Sequence, residues 1–110
     1  MNVSFNGFGE NVVTFETEGS VSAGMPVMVS ASGKVKAASG VFCGICLGVR
    51  NGYAAVQLSG YVKTAYDTAP AVGYTKLVGK TGKISTDASD GREYLVVDID
   101  TVAKTAGIIL

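Results

Sequence analysis

Apolar and polar residues alternate in short runs along this chain, and glycine, serine, asparagine or aspartate interrupts the runs every few residues. Period-two alternation places successive side chains on opposite faces of a strand, and turn formers between such runs predict hairpins. The pattern predicts strands over residues 12–16, 26–29, 34–38, 41–50, 53–65, 75–78, 83–85, 93–100 and 106–110. Asn51-Gly52, between two alternating runs, is the strongest hairpin signal. "SASGK" and "GKTGK" predict two further turns, with Gly33 and Gly82 available for positive φ. Residues 98–105 leave room for a short helix but carry no helical period. Fifteen glycines and this periodicity predict an all-β protein. The expected architecture is a small barrel or sandwich of short antiparallel strands, with an N-terminal arm over residues 1–11 and a single β domain over 12–110.

The chain also echoes itself. "GMPVMVSASGKV" from Gly24 aligns without gaps on "GYTKLVGKTGKI" from Gly73, an offset of 49 residues. In both, a glycine opens a strand, a turn follows, and Gly-Lys leads into a β-branched residue. A strongly apolar strand comes next in each case, "CGICLGV" or "EYLVVDI". Two copies are too few for a solenoid. Two related hairpin-plus-strand units folded against each other into a small barrel or sandwich are expected instead.

Composition adds a functional hint. The 110 residues suffice for one domain with its own core. Charged residues make up only 16 %, against about 25 % in ordinary soluble domains, and the net charge is zero. So little polar material leaves apolar surface that is expected to be buried against other chains. Charge is also segregated: residues 1–33 sum to −3, 34–83 to +6 and 84–110 to −3. Such an arrangement suits steering of neighbouring copies into register, beside the simpler reading of solvated turn charges. No apolar run approaches the ~18 residues that span a bilayer. The start, "MNVSFNGFGENVVTFE", has no basic or apolar signal region, which predicts maturation in a cytoplasm with reduced thiols.

The two cysteines, Cys43 and Cys46, have the spacing of a redox or zinc half-site. On a strand, an odd separation turns them to opposite faces, which a disulfide does not permit. No helix follows to lower a thiol pKa, and no histidine or second thiol pair completes a zinc site. They are read as small core residues, in a strand whose Val41, Cys43, Ile45, Leu47 and Val49 share one apolar face. The absence of histidine removes imidazole chemistry. Asp98 and Asp100 fall on the solvent side of a strand rather than forming an acid–base pair. "VGKTGK" lacks the first glycine of a phosphate loop and opens no helix. Lys34, Lys36, Lys80 and Lys83 have no interleaved aromatics, so a nucleic-acid surface is not expected. No catalytic residue, cofactor or metal is assigned. In the first eleven residues, Phe5 and Phe8 stand out in a polar, glycine-rich arm. They either fold back over the domain or dock on a neighbouring chain by adding a strand.

Taken in order, "VSAGMPVMVSASGKVKAAS", "FCGICLGVRNGYAAVQLSGYV", "AVGYTKLVGKTGKI", "YLVVDID" and "AGIIL" resemble the small head-decoration, or capsid cement, proteins of tailed bacteriophages and prophages. The resemblance covers about residues 10–110. It implies a β-rich protein, made in the host bacterial cytoplasm, that binds the outer face of a capsid. The implied partners are the major capsid protein shell and further copies of this chain, as a homotrimer at three-fold positions. It also implies that the arm engages the shell or a neighbouring subunit, which here means Val3, Phe5 and Phe8, running into Val12 and Phe15. Neither an enzyme nor a membrane protein is expected. Two other readings remain. One is a carbohydrate-binding or adhesin-type module using Tyr53, Tyr61, Tyr66, Tyr74 and Tyr94. The other is a carrier domain with a modified lysine at Lys34 or Lys83.

Overall fold

Gly60 divides the chain. The alternating run 53–65 reads as one strand in the sequence. In the computed structural model, which describes residues 11–110, Gly60 breaks it at φ +86°, a left-handed conformation in which a Cβ is penalised. Before the break, β5 (Tyr53–Ser59) belongs to a five-stranded antiparallel sheet with β1 (Asn11–Glu16), β2 (Pro26–Val29), β3 (Val35–Ala37) and β4 (Gly44–Arg50). After it, β6 (Tyr61–Ala65) opens a second five-stranded sheet with β7 (Gly73–Lys80), β8 (Lys83–Thr86), β9 (Arg92–Asp100) and β10 (Thr105–Ile109). The all-β expectation holds, and residues 98–105 form the end of β9 and a turn rather than a helix.

The two sheets are the same design used twice. Their strand orders are β1-β5-β4-β2-β3 and β6-β10-β9-β7-β8, which coincide when each strand is matched to its counterpart five places on. Each sheet rolls until its ends meet. Thr17, just past β1, forms a parallel bridge with Val35, and Tyr66, just past β6, does so with Ile84. The Glu18 N–H donates to the Val35 carbonyl at 2.7 Å and the Asp67 N–H to the Ile84 carbonyl at 2.8 Å. The bridge joins the two ends of each sheet at one point beyond the first strand and leaves the outer edge of that strand itself unpaired among the described residues. The same irregularity appears in both rolls. Cys46 faces Val56 and Gly48 faces Ala55, leaving Leu47 as an extra residue. Val96 faces Ile108 and Asp98 faces Gly107, leaving Val97 in the matching position. A bulge bends its strand and strengthens the local twist, which a tight roll requires.

The bulge corrects the predicted apolar row. Regular pairing starts only at Gly44, so Val41 and Cys43 lie outside the strand. Ile45 falls on the side of Gln57 and Val49 on the side of Ala54, opposite faces of β5. Of the row, Ile45 is fully buried, while Val41, Leu47 and Val49 are exposed.

Five positions fill the first roll: Val27, Val35, Cys46, Ala54 and Val56. Their counterparts Leu77, Ile84, Val96, Ala106 and Ile108 fill the second, with hairpin pairing matching Leu77 to Val27 where the ungapped repeat aligns it with Met28. Side-chain identity changes at four of the five pairs, but each position stays apolar and buried. The second core is larger because the first unit enters it with Ala38, Phe42 and Ile45. Phe42 stacks on Tyr94, centroids 4.5 Å apart and planes 5° off parallel, and the Tyr94 hydroxyl donates to the Phe42 carbonyl. Consecutive residues of β4 therefore serve two cores, Cys46 the first and Ile45 the second.

Aspartates hold two turns. Asp87 accepts from the N–H groups of Ser89 and Asp90, each at 2.9 Å, and Asp100 from those of Val102 and Ala103, each at 3.0 Å. These N–H donors hold both carboxyls below the ordinary value of 3.8. A depressed carboxyl in the folded state contributes stability that is present above its unfolded pKa and lost as pH falls through the folded one. The thermal midpoint is therefore expected to drop as pH falls below about 4. The double variant Asp87→Ala/Asp100→Ala, melted over the same range, should show a shallower drop. An unchanged slope would count against the turn carboxylates.

Candidate functional site

Three surface features stand apart from this doubled scaffold. The first is β1. It ends its sheet, pairing only with β5. Among the described residues its outer edge is unpaired until the Thr17 bridge, so N–H and C=O groups stand ready for another strand. Val12 and Val13 point to opposite faces and both are exposed. Val13 is 38 % exposed, whereas Val62, its counterpart on β6, is 7 % exposed and packed in the second core. Of the predicted interface residues, Val12 thus sits open on this edge. Phe15 is partly buried against the first core. Val3, Phe5 and Phe8 lie outside the described residues.

The second and third features are a pair of grooves in matching places. The bulged pair β4–β5 and the neighbouring β1 form a groove lined by Thr14, Leu47, Gly48, Val49, Arg50, Tyr53 and Ala55. In the second roll, Lys63, Asp98, Ile99, Asp100 and Thr105 line the corresponding groove. Strand pairing sets the correspondence: Arg50 faces Tyr53 as Asp100 faces Thr105, and Gly48 faces Ala55 as Asp98 faces Gly107. The shapes match but the chemistry does not. The first groove is apolar with one cation, Arg50, which has no ion-pair partner among the described residues. The second carries two carboxylates and one lysine. Across the strand pair from Asp98 stands Gly107, where a Cβ would collide with the Tyr61 hydroxyl and the Asp98 carboxylate. That space lets the Tyr61 hydroxyl donate to Asp98 at 3.3–3.4 Å. Burial, and then the adjacent Asp98 charge, push the Tyr61 hydroxyl up. Asp98 is therefore not plain solvent-side decoration, because it braces a tyrosine.

Beside the second groove, the β9–β10 hairpin is two residues longer than its Asn51-Gly52 counterpart, and its turn carries Val102, 94 % exposed. Asp100 fixes this turn through the two N–H bonds described above.

The remaining candidates are scattered. Cys43 and Cys46 are free thiols, and burial pushes both up, away from thiolate chemistry. Cys46 is fully buried, as read from the sequence, while Cys43 is only half-buried and its N–H donates to the Val27 carbonyl at 2.9 Å. Tyr66 and Tyr94 are buried, Tyr61 braces Asp98, Tyr53 lines the first groove and Tyr74 is exposed, so the five do not form one platform. Lys34 is paired with Glu16 at 2.9 Å. No three metal-binding side chains gather among the described residues, and no helix is long and apolar enough to cross a membrane. The sequence pattern missed the grooves because each is shaped by the bulged pairing of two neighbouring strands, with Thr14 or Lys63 added from the next strand over, and alternation does not reveal a bulge. Comparison with known families, characterised proteins and solved structures gives no match for this chain.

Proposed function

We propose that this chain is a structural virion protein that binds the outer surface of a tailed-phage or prophage capsid and stabilises it, as a homotrimer at three-fold positions. It is made in the host bacterial cytoplasm and ends on the shell, with the major capsid protein as its partner. The sequence resemblance to head-decoration proteins supports the class, and the scarcity of charge suits a protein that works by burying surface. The observation that carries the reading is β1: a strand edge left open among the described residues, next in sequence to the arm, with a valine exposed on each face. Strand addition there supplies main-chain hydrogen bonds, and the two valines supply apolar contact. Covering a valine that is less than half exposed is worth about 1 kcal/mol, and a contact repeated over a lattice gains further by avidity.

The test is co-sedimentation with expanded capsids. The natural chain is expected in the pellet at saturating, countable occupancy. Val12→Asp and Val13→Asp should each weaken binding roughly tenfold or more. Val12→Asp is the cleaner variant, since Val13 faces the core residue Val56 across the strand pair, and far-ultraviolet circular dichroism should show each variant folded before its binding is compared. A natural chain that stays in the supernatant with intact shells overturns the proposal.

A further inference from the structure

We propose that the Val102 hairpin of one copy seats in the apolar groove of a second copy, against Leu47, Tyr53 and Ala55, with Asp98 and Asp100 meeting Arg50. The inference deepens the self-association in the function proposed above and does not depend on the capsid.

Three observations carry it. Val102 is an apolar side chain 94 % exposed at a hairpin tip, covered by nothing among the described residues. The tip is held in shape by the two N–H groups that Asp100 accepts at 3.0 Å, which lowers the ordering cost of docking. The groove offers what this tip lacks: an apolar lining and a cation without an ion-pair partner among the described residues. The groove beside the hairpin carries Asp98 and Asp100 against Lys63, a net charge opposite in sign to Arg50, while the exposed Lys104 ends the turn on the far side of Val102 in the sequence. Charge complementarity of this kind fixes orientation and speeds encounter. Because each copy presents one hairpin and one groove, the contact is head-to-tail, and a suitable rotation closes it into a ring. The second copy is thus the occupant that fits both apolar lining and charge.

Mass measurement by light scattering tests the idea. At about 100 μM the natural chain is expected at a whole multiple of 11.2 kDa, and added salt should weaken the assembly. Val102→Asp and Arg50→Glu should each run at 11.2 kDa. Val102→Ser, which adds no charge near Asp100, should weaken association at least tenfold. Mixing Val102→Asp with Arg50→Glu should give a heterodimer, since one retains the groove and the other the hairpin. Both positions are exposed, and far-ultraviolet circular dichroism should show the fold unchanged. A natural chain at 11.2 kDa, or variants that keep the natural assembly, would overturn the inference. An assembly that never sediments with shells removes the capsid reading and leaves this contact standing, whereas a monomer that does sediment has the reverse effect.

Discussion

Replacing Phe42 with alanine is expected to lower folding stability by about 3–5 kcal/mol. Phe42 lies on the connection between β3 and β4, outside both strands, yet it is fully buried. Its ring belongs to the core of the second roll, where it stacks on Tyr94. The substitution therefore opens a cavity at the junction of the two units as well as removing an aromatic pair worth about 0.5–1.5 kcal/mol beyond its buried area. The Tyr94 hydroxyl bond is to the Phe42 main chain and survives the change. Urea unfolding should show a lower midpoint with the slope preserved. A loss under about 1 kcal/mol would show that the rolls do not share a core.

Gly44→Ala should be comparably severe for a different reason. A Cβ at Gly44 would strike the Gln57 carbonyl oxygen and the Val56 side chain on β5. Gln57 cannot retreat easily. Its amide donates to the Ser59 carbonyl at 3.0 Å and the Tyr61 carbonyl at 2.8 Å, spanning the break at Gly60. Overpacking ordinarily costs about 1–3 kcal/mol, and a clash with backbone belongs at the upper end. Gly48→Ala is the control in the same strand: nothing lies within 4 Å of its added Cβ, and a change within about 0.5 kcal/mol is expected. Thermal midpoints of the two variants should therefore separate widely. Equal midpoints would mean that β4 and β5 shift apart without cost.

Nearly every strand was visible in the alternation of the sequence, and Asn51-Gly52, Gly33 and Gly82 sit at turns with positive φ as their chemistry suggests. The break at Gly60 was not visible, because the alternation runs through it and only the sign of one torsion separates a long strand from two. The bulge at Leu47 was hidden for a related reason. One extra residue reverses which side chains face inward, but leaves composition untouched. The repeat was legible only in the hairpins β2–β3 and β7–β8, where glycines recur at fixed offset. Elsewhere the rolls share burial rather than identity: Cys46 matches Val96 and Val56 matches Ile108. The cysteine pair was placed correctly as unlinked, although only Cys46 reaches the core. Of the candidate site, the strand at Val12 was legible. The grooves became so only once the pairing of β4–β5 and β9–β10 was known.

Carrying both rolls on a single polypeptide has a consequence for how the molecule can be built upon. Two separate identical half-chains would be obliged to wear the same face on each side, so any change to one would be copied to the other. Fusion lifts that constraint. One half is free to become a greasy socket and the other an acidic plug, which gives a squat object a direction, like a brick with a tongue and a slot.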